Sequence, residues 1–91
     1  MRKVRMNVQG RVQGVGFRYM TKMVADELNI RGTVRNEDDG SVAIEALGPN
    51  DTIDLFIQKV KASPSPAGRV TYVDIQDDPF MEDYTSFNVT N

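Results

Sequence analysis

Between a run of alternating residues and a helical pattern, the chain reads Gly10-Arg11-Val12-Gln13-Gly14-Val15-Gly16-Phe17-Arg18. Three glycines in seven positions let the backbone turn successive N–H groups to one side, and the positive end of a helix dipole adds to their pull on an anion. Arg18 falls in the first turn of the helix, where a cation works against that dipole. The placement makes sense if an anion normally sits between them. A second polar residue, Asn36, closes a later strand. An amide there is an ordinary turn former, yet its oxygen can accept from water while its NH₂ donates elsewhere. Glycines also serve plain tight turns, so the pair Arg18 and Asn36 says more than either residue. The chemistry on offer is binding and polarisation of a small phosphate-like anion.

Residue types exclude much else. The chain has no cysteine and no histidine, which removes disulfides, thiolate nucleophiles, histidine bases and the common zinc sites. No lysine follows Gly16, so the loop is not a nucleotide-binding GxxxxGK[ST], and Tyr19 stands where GxGxxG needs its last glycine. Neither a metal nor a cofactor is expected. Eleven basic and 13 acidic residues give a net charge of −2, which disfavours nucleic acid as a partner. Positive charge gathers at Arg2, Lys3, Arg5, Arg11 and Arg18, and negative charge at Asp74, Asp77, Asp78, Glu82 and Asp83. That asymmetry is expected to favour a small anionic ligand at one end of the fold. No apolar run approaches the roughly 18–20 residues that span a bilayer, and the charged start lacks the apolar core of a signal peptide. No membrane contact and a cytoplasmic location are the expectations.

Elements must then position the loop, Arg18 and Asn36. Residues 3–9 alternate, with Val4, Met6 and Val8 on one face, as in a half-buried strand. Phe17, Met20, Val24 and Leu28 recur at helical spacing until Asn29. Residues 31–36 and 41–47 read as strands joined by a tight turn with Gly40 at a position of positive φ. Ile53, Phe56, Ile57 and Val60 form an apolar stripe on a second helix, which Pro64 and Pro66 end. Residues 69–75 return as a strand, and Phe87 and Val89 mark a short last one.

The order βαββαβ plus a short C-terminal strand predicts one α+β domain over residues 1–91. It is a ferredoxin-like split βαβ sandwich, with two helices on one face of an antiparallel sheet. Right-handed crossovers make the strands they join parallel. The glycine loop and Asn36 then reach the same sheet edge, roughly 10 Å apart if one strand lies between them.

Val8 to Arg18 resembles the signature of the acylphosphatase family in sequence and spacing. Gly32-Thr33-Val34-Arg35-Asn36, Asp39-Gly40-Ser41-Val42, Gly48-Pro49, Arg69-Val70 and Phe87-Asn88-Val89 extend the likeness over the chain. The resemblance implies the same sandwich and a hydrolase that converts acyl phosphates to a carboxylate and inorganic phosphate without metal. It implies that Arg18 binds the phosphate, that Gly14, Val15, Gly16, Phe17 and Arg18 cradle it with their amides, and that Asn36 positions the attacking water. Thr33 stands where the family often has an aromatic residue. Glu37 replaces a small or apolar residue and is expected to put negative charge beside the anion site. The implied partner is a small-molecule acyl phosphate, with the protein a monomer. Two other readings stay open at this point. One is an RNA-binding sandwich of the same topology, which would need exposed aromatics on its central strands. The other is a carbamoyl-phosphate-handling domain of the kind fused to hydrogenase-maturation proteins.

Overall fold

A computed structural model describes residues 1–91. In chain order it contains β1 (Arg2–Arg11), α1 (Phe17–Glu27), β2 (Arg31–Asn36), β3 (Val42–Gly48), α2 (Asn50–Lys61), β4 (Arg69–Asp77) and β5 (Phe87–Val89). β1 outruns its clean alternation because pairing with β4 carries it past a bulge between Gln9 and Gly10. At Gly10 the backbones come so close that a Cβ would lie 2.2 Å from the Arg69 carbonyl oxygen, so only glycine fits.

The five strands lie in the order β4-β1-β3-β2-β5. The first four pair antiparallel, as expected. β5 pairs parallel with β2 and makes the sheet mixed, a detail that alternation alone does not reveal. Each helix joins two parallel strands around a third: β1 and β2 flank β3, and β3 and β4 flank β1.

Both helices cover one face. Val4, Met6, Val8, Val34, Ile44 and Ala46 turn inward from the strands and meet α2 through Ile53, Phe56, Ile57 and Val60, the stripe its spacing calls for. In α1 the fully buried row is Phe17, Thr21 and Ala25 rather than the expected Met20, Val24 and Leu28. Small side chains at 21 and 25 let the helix approach the sheet, and Val24 and Leu28 pack at the margin. Phe87 fixes β5 by meeting Phe56 edge-on, ring centroids 6.1 Å apart. No helix is long and apolar enough to cross a membrane.

The segment from Asp78 to Ser86 runs from β4 to β5 past outward-facing residues of β1 and β3. Lys3 Nζ donates to the Met81 carbonyl at 2.6 Å and pairs with Asp83 at 2.8 Å; Arg5 pairs with Asp78 at 2.7 Å. The Tyr84 hydroxyl donates to Glu45. Burial, then that bond and the charge of Glu45, push the Tyr84 phenol up to about 12, against about 10 in an unfolded chain. A proton held more tightly in the folded state stabilises fully below about 10 and is lost as pH rises through about 12. On the acid side, hydrogen bonds from Arg5 and Lys3 hold Asp78 and Asp83 below the usual carboxylate range. Their contribution is present above that range and is lost as pH falls through the lowered values. Urea midpoints against pH should therefore decline in both directions. Tyr84→Phe should flatten the decline between pH 10 and 12, and an unaltered alkaline arm would show that Tyr84 does not cause it.

Candidate active site

Strand register brings the expected residues to one place. Val42 of β3 lies opposite Val8 of β1 on one side and opposite Asn36 of β2 on the other. The end of β1 and Asn36 are thus two strand spacings apart, roughly 10 Å. Val34 is buried on the helix face, and Asn36, two residues on, has the same facing. Arg18 begins α1 on that face. Register and helix placement thus bring positions 18 and 36 toward the same end of the sheet on its helix face.

The loop between β1 and α1 is shaped by Gly14 and Gly16, at φ of 75° and 76°. Both are left-handed conformations that favour glycine. The first helical bond runs from Met20 N to Gly16 O at 3.1 Å. From Gly14 to Tyr19 no main-chain N–H meets an acceptor within the protein. Gly16 is the N-cap and supplies no side-chain cap, and the first turn carries no acidic residue. A glycine cap costs about a few tenths of a kcal/mol against a serine or aspartate, and a first-turn cation such as Arg18 adds roughly 0.3–1 kcal/mol. An anion seated there offsets both. Arg18 itself makes no ion pair, although six other basic-acidic contacts across the protein involve Arg2, Lys3, Arg5 or Arg35.

Those contacts correct one expectation. β1 and β4 are antiparallel neighbours, so the basic start meets the acidic far end directly. Arg2 pairs with Asp54 at 2.7 Å and Asp77 at 3.2 Å, while Lys3 and Arg5 hold Asp83 and Asp78. Of the five clustered cations only Arg11 and Arg18 keep no carboxylate partner. The positive charge left for a ligand is local to the loop, not a field over one end.

Asn36 is held by its main chain. Its N–H donates to the Asn91 carbonyl at 3.1 Å, and Thr90 N donates to Val34 O at 3.0 Å. Its side-chain Oδ1 is buried without a hydrogen-bond partner from the protein. A buried acceptor left unpaired costs roughly 1–3 kcal/mol, and such groups gather where a ligand or water completes the set. The glycine loop is tied to the turn after Asn36 by Gln13, whose Nε2 donates to the Glu37 carbonyl at 2.8 Å and the Ser41 carbonyl at 2.9 Å. Ser41 Oγ donates to Asp39 at 2.6 Å and accepts from Asn7 Nδ2 at 3.0 Å. Hydrogen bonds from the Ser41 hydroxyl and N–H hold the Asp39 carboxyl below its ordinary value.

Gly14, Gly16, Phe17 and Arg18 line a hollow of about 340 Å³ with Tyr19 and Val89. Val15 and Asn36 are not part of its wall. Glu37 lies elsewhere than expected: it pairs with Arg35 at 3.0 Å and lines a depression on the outer sheet face with Arg5 and Glu45. Its charge is balanced and turned away from the loop. Sequence reasoning passed over Gln13 and Asn91, whose bonds join segments distant in the chain. The only hint was a polar residue between two glycines.

Known proteins share both the sequence and the fold. The Acylphosphatase family model matches residues 4–89. An acylphosphatase of Enterococcus faecalis is 70% identical over 89 residues, covering 98% of each chain. A crystal structure of acylphosphatase from Bacillus subtilis superposes with a TM-score of 0.95 at 40% identity, over 100% of both chains. An acylphosphatase structure from Coxiella burnetii gives 0.91 at 31% identity, covering 98% of this chain and 92% of that one. With a family model across nearly its whole length, relatives this similar and the matching fold, the chain belongs to the acylphosphatase family.

Proposed function

We propose that this enzyme hydrolyses acyl phosphates by direct attack of a water, positioned by Asn36, on phosphorus held by Arg18 and the amides of Gly14 to Arg18. Family membership makes the chain an enzyme acting on acyl phosphates; the residue roles are our reading. The observation that carries them is the row of unpaired N–H groups at the uncapped start of α1, beside an arginine with no acidic partner. Those groups form a preset cradle for the oxygens of a phosphoryl group.

The substrate R–CO–O–PO₃²⁻ suits so sparse a set. Water adds to phosphorus, the bond between phosphorus and the bridging oxygen breaks, and the electron pair leaves with the carboxylate. Both water protons stay with the phosphate, which forms as H₂PO₄⁻. A carboxylate whose acid has a pKa of about 4 leaves without a general acid. In a loose transition state, charge spreads over the three equatorial oxygens. Fixed N–H donors and the bidentate guanidinium of Arg18 stabilise that charge. Oδ1 of Asn36, buried and unclaimed by the protein, accepts from the attacking water and sets its line of approach. All these groups come from one chain, which supports action as a monomer.

The test is hydrolysis of benzoyl phosphate with and without a chelator, beside an alkyl phosphate monoester. Turnover of benzoyl phosphate alone, unchanged by chelator, is the expected result. Loss of activity in chelator that added metal restores would overturn the metal-free reading.

A further inference from the structure

Ser65 lies in the connection from α2 to β4, between Pro64 and Pro66, and is only 3% exposed. Its hydroxyl donates to the Val15 carbonyl at 2.5 Å, across 50 residues of sequence. The Ser65 main chain is itself fixed. Its carbonyl accepts from Ser63 Oγ at 2.9 Å and from Gly68 N at 3.0 Å. Gly68 packs close against the same turn, since a Cβ there would lie 2.8 Å from Ser63 Oγ. A rigid turn thus presents one hydroxyl to one carbonyl of the glycine loop.

The consequence follows from peptide geometry. The chain has no cis peptide bonds, so the Val15 carbonyl and the Gly16 N–H point in opposite directions from one plane. Ser65 draws the carbonyl toward the buried turn, and the Gly16 N–H therefore faces the other way, toward the hollow lined by Gly16 and Arg18. Rotating that peptide changes ψ of Val15 and φ of Gly16. Glycine accepts either sign of φ, so residue 16 itself offers little resistance to a flip. No main-chain bond inside the protein holds the Gly16 N–H either. The hydroxyl is the restraint that selects its direction.

We propose that Ser65 is a positioning residue for phosphate binding: its hydroxyl locks the Val15–Gly16 peptide with the Gly16 N–H directed at the bound phosphoryl group. This rests on the phosphate role assigned above to the loop. Removing the hydroxyl frees the peptide to turn, and one donor is lost to both bound phosphate and the transition state.

Ser65→Ala should raise the competitive inhibition constant of inorganic phosphate, and the KM for benzoyl phosphate, by about tenfold, the effect of one hydrogen bond to a charged group. kcat should change less. Amide NMR of the intact protein, titrated with inorganic phosphate, supplies a readout that a merely structural role would not move. In the wild type the Gly16, Phe17 and Arg18 amides should shift together. In Ser65→Ala the Gly16 shift should shrink while the other two persist. Equal Gly16 shifts and equal inhibition constants in both proteins would overturn the proposal and leave the phosphate-loop reading intact. Absence of any loop shift in the wild type would instead sink that reading and this proposal with it. Should Ser65→Ala fail to fold, Ser65→Cys, which keeps a group of similar size but donates weakly, carries the same comparison.

Discussion

Arg18→Ala should lower kcat/KM for benzoyl phosphate by roughly 10²–10⁴-fold, since it removes two charge-assisted hydrogen bonds of about 1.5–3 kcal/mol each. Inorganic phosphate should lose its inhibition in the same variant. The fold should not suffer. Arg18 makes no ion pair in the protein, and its removal relieves an unfavourable cation at the start of α1. Arg18→Lys keeps the charge but not the planar fork, and should recover at most about tenfold of the loss. Near-normal kinetics in Arg18→Ala, with phosphate still inhibiting, would remove Arg18 from the site.

Asn36→Ala should separate binding from turnover. Its side chain lines no part of the hollow beside Arg18, and its main chain is held by Asn91 whatever the side chain. Phosphate inhibition should therefore stay within about twofold, while kcat falls about a hundredfold or more, the order expected when a reactant is misplaced by about 1 Å. Deleting the side chain also removes a buried acceptor that no protein donor satisfies, so a melting temperature equal to or above wild type is expected. A variant that no longer binds phosphate but retains its rate would mean the role is misread. Asn36→Asp extends the comparison. If residue 36 acted as a base, a carboxylate would preserve turnover; if it only positions water, the added negative charge beside a phosphoryl dianion should depress it.

Much of the fold was legible because its signals are local. The stripe Ile53, Phe56, Ile57 and Val60 is the buried face of α2, and Gly40 sits at φ 93° in the turn that its position implied. The row facing inward from α1 was misjudged, since choosing between neighbouring helical rows depends on how closely the sheet lets the helix approach. Pairing between β2 and β5 lay beyond reach for a related reason: three residues carry no mark of which edge they join. At the site, the left-handed Gly14 and Gly16 and the uncapped helix start beside Arg18 were legible, because glycine conformation and an arginine against a dipole are costs visible in one stretch of chain. The supports were not visible. Gln13 reaches the turn after Asn36, and Ser65 reaches Val15, through single bonds between segments that only the folded chain brings together. Glu37 shows the same limit from the other side, because strand facing, not adjacency to Asn36, decided where its charge went.

The division between groups that face the ligand and groups that hold them has a bearing on biosynthesis. Every residue assigned a part in the reaction has been translated by position 36. The bonds that orient them wait for Ser65, Thr90 and Asn91. A nascent chain therefore carries Arg18 and Asn36 through most of its translation before the residues that brace them exist. The bonds that fix the main chain at Val34 and Asn36 form only once the last strand slots in beside the second.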